Sequence, residues 1–218
     1  MLPVSLSYGQ HFYRVEADFT IKEKINDSLS QLTIGRVYFD QNQEKLLYDV
    51  NFPASEIWSF QDTSFYKVLQ KNDSVIRQSI SPLVIKSSVF NMILSDQLNN
   101  YGLSDTLYMK ISTVNQGGMI ITTLEPRDLY KKYLGTVLIS RQGKLLQGVI
   151  IMNPEGEIVS KQFFRDYDLS GGIPFPKEII QLGFQNGKQL SVRITTFENI
   201  QFNANDTRQR YHYQLPTQ

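Results

Sequence analysis

The sequence predicts a mainly β protein: a single strongly curved antiparallel sheet of about ten or eleven strands, with one or two helices laid against it. Three observations carry this expectation. Apolar and polar residues alternate with period two along most of the chain, the pattern of strands with one dry and one wet face. The alternating segments are separated by short Asn, Asp, Gly and Pro clusters suited to tight reversals. The period changes to three and four only between Pro82 and Gly102. A sheet this long is expected to curl or close rather than lie flat.

The first strand runs over Tyr13 to Lys22, where Tyr13, Val15, Ala17, Phe19 and Ile21 alternate with Arg14, Glu16, Asp18, Thr20 and Lys22. Asn26-Asp27-Ser28 supplies the turn, and a second strand follows from about Leu32 to Phe39, closed by Asp40-Gln41-Asn42-Gln43. A third places Leu46, Tyr48, Val50 and Phe52 on one face and stops at Pro53, completing a meander. Ile57 to Phe60, Phe65 to Leu69 and Ser74 to Ile80 continue it, with turns at Gln61-Asp62-Thr63 and Lys71-Asn72-Asp73. Then Val89, Phe90, Ile93, Leu94 and Leu98 recur at helical spacing, with Ser87 or Ser88 as N-cap. One amphipathic helix from about Ser87 to Asn99 fits there, followed by a short helical turn near Leu103 to Met109. Met119 to Leu124 resumes the strands, and Arg127 to Lys132 reads as a loop or helical turn. Thr136 to Ser140, Lys144 to Met152 and Glu157 to Tyr167 form hairpins around Arg141-Gln142-Gly143 and Asn153-Pro154-Glu155-Gly156. After the break at Gly171-Gly172-Ile173-Pro174-Phe175-Pro176 come Ile179 to Gln185, Gln189 to Phe197 and a last segment around Ile200 to Tyr213. No composition shift marks a linker, so residues 11–218 read as one domain. Residues 1–10, MLPVSLSYGQ, read either as the tail of a secretory signal or as a disordered arm or edge strand.

Composition excludes several function classes. The 218 residues carry 22 Lys plus Arg against 21 Asp plus Glu, a net charge of +1, which argues against nucleic-acid binding driven by bulk charge. No apolar run reaches the roughly 18 residues of a membrane-spanning helix. Cysteine is absent, which removes disulfides, thiol catalysis and Cys-based zinc sites. The two histidines, His11 and His212, stand at opposite ends of the chain and do not suggest a metal site or a catalytic triad. No phosphate loop, zinc-protease motif or nucleophile elbow occurs. Glu155 with Glu157 and Asp166 with Asp168 lie in turn-rich text and read as solvated edges. The Asn-x-Ser/Thr triplets at Asn26, Asn72 and Asn205 read as turns.

What remains is an apolar inventory of thirteen Phe, twelve Tyr, one Trp and five Met. On a curved sheet Phe19, Phe39, Phe52, Trp58, Phe65, Met119 and Ile121 are expected to point inward, faced by Phe90, Ile93 and Leu94 of the helix. These side chains either fill a core or line a cavity for an acyl or other apolar ligand, and composition does not separate the two.

The order of segments resembles the LolA-like family of periplasmic lipoprotein carriers. The likeness rests on Gly35-Arg36-Val37-Tyr38-Phe39, a turn, and Leu46-Leu47-Tyr48-Asp49-Val50-Asn51-Phe52-Pro53, followed by Ile57 to Tyr66. It continues in Thr122-Thr123-Leu124-Glu125-Pro126, in Leu145 to Phe164 around Pro154-Glu155-Gly156, and in Phe164-Arg165-Asp166-Tyr167 with Gly172-Ile173-Pro174-Phe175-Pro176. The resemblance implies an unclosed β-barrel with lid helices and a hydrophobic cavity, formed by the ten residues above, that holds the acyl chains of outer-membrane lipoproteins or another lipid-like ligand. It implies a periplasmic monomer that exchanges cargo with an inner-membrane donor and an outer-membrane acceptor, without enzymatic activity, metal, cofactor or nucleic acid. An envelope sensor or scaffold on the same fold is the alternative. Two departures stand out. The carriers begin with an amphipathic helix where about ten residues precede the first strand here. They also latch the lid with an arginine just after the glycine-led strand, where this chain has Asp40-Gln41-Asn42 and carries Arg36 within the strand.

Overall fold

A computed structural model of the chain describes residues 12–216, except 27–28, 62, 72–73, 82, 170–171 and 205–207. The readings of residues 1–10 and of the triplets at Asn72 and Asn205 fall outside the described residues. Thirteen strands form one antiparallel sheet. The first half comprises β1 (Arg14–Ile25), β2 (Leu29–Asp40), β3 (Lys45–Phe52), β4 (Glu56–Gln61), β5 (Ser64–Leu69) and β6 (Ser74–Ser79). The second comprises β7 (Tyr108–Gln116), β8 (Met119–Pro126), β9 (Val137–Gln142), β10 (Leu145–Met152), β11 (Ile158–Asp168), β12 (Phe175–Gln185) and β13 (Lys188–Phe202).

Each half is a meander, and the halves join through β1 and β13, which pair from Val15 opposite Phe202 to Ile25 opposite Ser191. The edges are β6 and β7, so the sheet stays open. They are consecutive in the chain yet lie at opposite ends of the sheet. The connection between them must therefore cross a face, and it carries α1 (Leu83–Lys86), α2 (Val89–Leu94) and a 3-10 turn at Leu98–Asn100.

The single helix expected over Ser87 to Asn99 is thus two short elements. Ser88 caps α2, its Oγ accepting the Asn91 N–H at 3.2 Å. Asp96 adopts a left-handed φ of 53°, and Gln97 N–H reaches back to the Met92 carbonyl at 2.7 Å while Asp96 N–H bonds Ile93 at 3.2 Å. This is a Schellman ending, and it stops the helix before the apolar spacing runs out. The helical turn expected over Leu103 to Met109 gives way at Tyr108 to β7, a strand that period-two reading missed because seven of its nine residues are exposed and neither face is dry. The segments around Gln189 to Phe197 and from Ile200 are one strand, β13, and the chain then turns into α3 (Arg208–Tyr211).

The concave face holds the main core. Val15, Ala17 and Phe19 of β1, Val37 and Phe39 of β2 and Leu46 and Val50 of β3 pack there. From the other half come Val137, Ile139, Leu146, Val149, Phe164, Phe175 and Phe197. Both sets close around Ile85, Phe90, Met92 and Ile93 of the crossover, so the two wings of the sheet wrap its two short helices. A bulge between Ile34 and Gly35 helps the wrap: a Cβ on Gly35 would run into the Asp49 carbonyl. The convex face carries a second, smaller core. There Tyr38, Leu47, Ile57 and Val68 lie under Tyr211, with Tyr213 and Leu215 of the C-terminal segment packed alongside.

Candidate functional site

The concave face beneath the crossover is the candidate site, and its middle is filled. Phe90 is 1% exposed. Its ring stands 6.2 Å from Phe39, 6.1 Å from Phe175 and 5.5 Å from Phe197, the last pair edge to face. Burying a Phe side chain is worth about 1.5–3 kcal/mol, so the lid is held chiefly by this ring and its apolar neighbours Met92 and Ile93.

The structure gathers some of the sequence-predicted residues and separates others. Phe19, Phe39, Phe90 and Ile93 meet in the main core, with Trp58 and Leu94 half-buried against it. Phe19 packs edge to face on Tyr48 at 5.1 Å, and the Trp58 indole N–H donates to Glu56 Oε2 at 2.8 Å. Phe65 reaches this region only through Phe60, whose ring is 4.7 Å away. Phe52 leaves the concave face. Past the bulge it pairs with Ile34 rather than continuing the row of Val50, and both residues are exposed, Phe52 by 48%. Met119 and Ile121 also leave it, since the residues of β8 that line the interior are Ile120, Thr122 and Leu124, and neighbours in a strand point to opposite faces. Cross-strand pairing sets that parity: Thr122 lies opposite Ile139, a core residue, and Ile121 opposite Ser140.

Beside the packed middle, a groove of about 600 Å³ lies open between the 99–105 segment of the crossover and the concave face of β7 to β9. Ile120, Leu124 and Ile139 form an apolar floor with Thr122, while Lys110, Arg141 and Asp105 bring charge. Sequence reasoning missed this floor. Met119-Ile120-Ile121 is apolar throughout and has no alternation to read. Another cavity, of about 510 Å³, lies between Leu32, Val192 and Ile194 on the convex face, away from the lid.

No arginine latches the lid from the glycine-led strand. Arg36 points to the convex face, where Nη2 pairs with Glu16 at 2.8 Å and Nη1 with Asp18 at 2.9 Å. Burial works against its charge, but the Glu16 hydrogen bond and the Asp18 and Glu16 charges outweigh it and raise its pKa. The contacts that bury Ile85, Phe90, Met92 and Ile93 of the lid are apolar. Inside the concave face, burial pushes the Tyr48 phenol up to about 12. Among the described residues no group of three or more His, Asp or Glu is placed to hold a metal, and no helix is long and apolar enough to cross a membrane.

No protein-family model matches the chain, and no curated protein matches it by sequence. Solved structures do. A LolA superfamily protein from Nitrosomonas europaea superposes with a TM-score of 0.58 at 11% identity, covering 88% of this chain and 87% of that one. A proposed outer membrane lipoprotein-sorting protein domain from Vibrio parahaemolyticus gives 0.58 at 12%, over 88% and 86%. A DUF1329 family protein from Desulfovibrio piger gives 0.59 at 12%, over 88% and 86%. At that coverage most of the chain is matched, and the chain has the LolA-like fold.

Proposed function

We propose that this protein is a periplasmic binder or carrier of acylated ligands, outer-membrane lipoproteins above all, that shelters an acyl chain on the concave face of its sheet. The observation that carries the reading is the open groove beside the lid, with an apolar floor of Ile120, Leu124 and Ile139 continuous with the buried core. Removing a chain from water onto such a floor gains about 25 cal/mol per Å² of apolar area. Room for further chains arises if α1 and α2 lift, because the rings under Phe90 then line a trough rather than a core. Such a carrier works as a monomer, receives its cargo from an inner-membrane donor and yields it to an outer-membrane acceptor, without a chemical step or cofactor.

The test is displacement of a fluorescent apolar probe by a triacylated lipopeptide, with the unacylated peptide as control. Saturable displacement by the acylated form alone is expected. Absence of probe binding would leave the concave face as a core and turn the reading to a scaffold. A second reading, an envelope sensor or scaffold that holds its ligand without handing it on, is favoured by the ring packing under the lid and by an Arg36 turned to the opposite face. Transfer of the bound lipopeptide to acceptor vesicles separates carrier from sensor.

A further inference from the structure

The groove beside the lid is not uniformly apolar, and its charges are arranged along its length. Arg141 of β9 lies opposite Ile120, and Lys110 of β7 opposite Leu124. Ile120 and Leu124 are four positions apart on β8, so the two cations flank opposite ends of a floor about 13 Å long. The ends differ. Among the described residues Asp105 is the single acidic one lining the groove, and it belongs to the Lys110 end: its carbonyl accepts from Arg127 Nε at 2.8 Å, and Arg127 directly follows Pro126, the partner of Tyr108. No carboxylate lines the Arg141 end, and Arg141 Nε is buried without a hydrogen-bond partner among the described residues. A buried N–H left unpaired on a cationic group is costly, and a guanidinium donates readily to a charged oxygen.

We infer that the groove takes an anionic amphiphile, its phosphate or carboxylate head on the Arg141 guanidinium and its chain along Ile120, Ile139 and Leu124. The inference rests on acyl binding at this groove and adds a ligand class to it, since the acylated cysteine of a lipoprotein is itself neutral. A neutral head leaves the Arg141 guanidinium without a counter-charge, and a free anion leaves the floor wet, so only the joined molecule uses both.

The experiment compares lysophosphatidic acid with the monoacylglycerol of the same chain, which differ only in the phosphate, by displacement of the apolar probe from the full chain. Wild type is expected to hold the phosphate-bearing lipid about tenfold more tightly, the effect of one charge-assisted hydrogen-bonding contact. Arg141→Gln is expected to abolish that preference, and an unchanged far-ultraviolet circular dichroism spectrum shows that the variant is folded. Arg141→Lys keeps part of the preference, and Lys110→Gln keeps nearly all of it. Equal affinity of wild type for the two lipids, or a preference that survives Arg141→Gln, overturns the assignment while acyl binding stands. Displacement of the phosphate lipid by millimolar inorganic phosphate would identify a free-anion site and overturn the amphiphile class. Failure of both lipids to bind wild type removes the acyl-binding reading itself.

Discussion

Glu16 sits near the start of β1 with none of its surface exposed, yet the alternation of Tyr13 to Lys22 assigns it to the wet face. Both statements hold because the wet face is covered by a segment far away in sequence. The Tyr211 hydroxyl donates to Glu16 Oε2 at 3.0 Å, Arg36 takes Oε1, and the Arg14 guanidinium lies 4.7 Å from the Tyr211 ring centre. Arg210 pairs with Asp49 at 3.0 Å, and Lys45 donates to the Tyr213 carbonyl. A hydrogen bond to a charged acceptor is worth about 1.5–3 kcal/mol, so Tyr211→Phe, which keeps the packing, is expected to destabilise by about that amount in urea unfolding. A Phe variant as stable as wild type would mean that the other partners of the carboxylate, Arg36 among them, satisfy it. Period-two reading places single side chains well wherever one face is dry and the other polar, as in β1. It loses parity in apolar runs such as Met119-Ile120-Ile121 and past the bulge that turns Phe52 outward, where the partner strand decides the face. The cover over Glu16 leaves no local mark, because Tyr211 looks like any residue of a polar tail until the fold brings it home.

At the scale of elements, the lid was legible as a helix because Phe90 and Ile93 recur at helical spacing, and its true ends were not, because a left-handed Asp96 terminates it. Edge strand β7 was illegible for the opposite reason: with most of its residues exposed, burial writes no pattern into it. The physical question the lid poses is whether it opens apart from the sheet. Only the ring of Phe90 and a few aliphatic neighbours tie α2 down, whereas β1 and β13 are hydrogen-bonded on both sides. Truncating a buried Phe costs about 3–5 kcal/mol. Phe90→Ala is therefore expected to speed amide hydrogen exchange across 83–107 strongly while protection in β1 and β13 changes little. A uniform loss of protection through the whole sheet would show that lid and sheet unfold as one unit, and would count against a lid that moves to admit cargo.

The whole molecule is an open sheet whose two wings meet at the chain's own first and last strands, so its cohesion depends on contacts spread over both faces and the crossover. The tyrosines sample all of these places. Tyr48 lies on the concave face, Tyr38 and Tyr211 in the convex core, Tyr101 and Tyr108 at the far end of the crossover, and Tyr167 on β11 with its hydroxyl donating to the Leu146 carbonyl at 2.6 Å. Burial raises the pKa of all six, because it disfavours the phenolate. In the unfolded chain a tyrosine ionises near pH 10. The folded state therefore retains protons that the unfolded state has released once pH passes 10, and stability falls as pH rises from there through the folded-state values. For Tyr48, whose folded value is about 12, the loss approaches on the order of 2–3 kcal/mol by pH 12. The urea midpoint is thus expected to be flat with respect to these groups below pH 9 and to drop steeply above pH 10, with the drop shallower in Tyr48→Phe. The phenolate absorbance that these six contribute, read as the difference from variants with Phe in their place, should rise together with unfolding rather than ahead of it. Ionisation of the buried tyrosines in a still-folded chain would mean that water reaches the concave face at equilibrium, and that the trough beneath the lid is open before any ligand arrives.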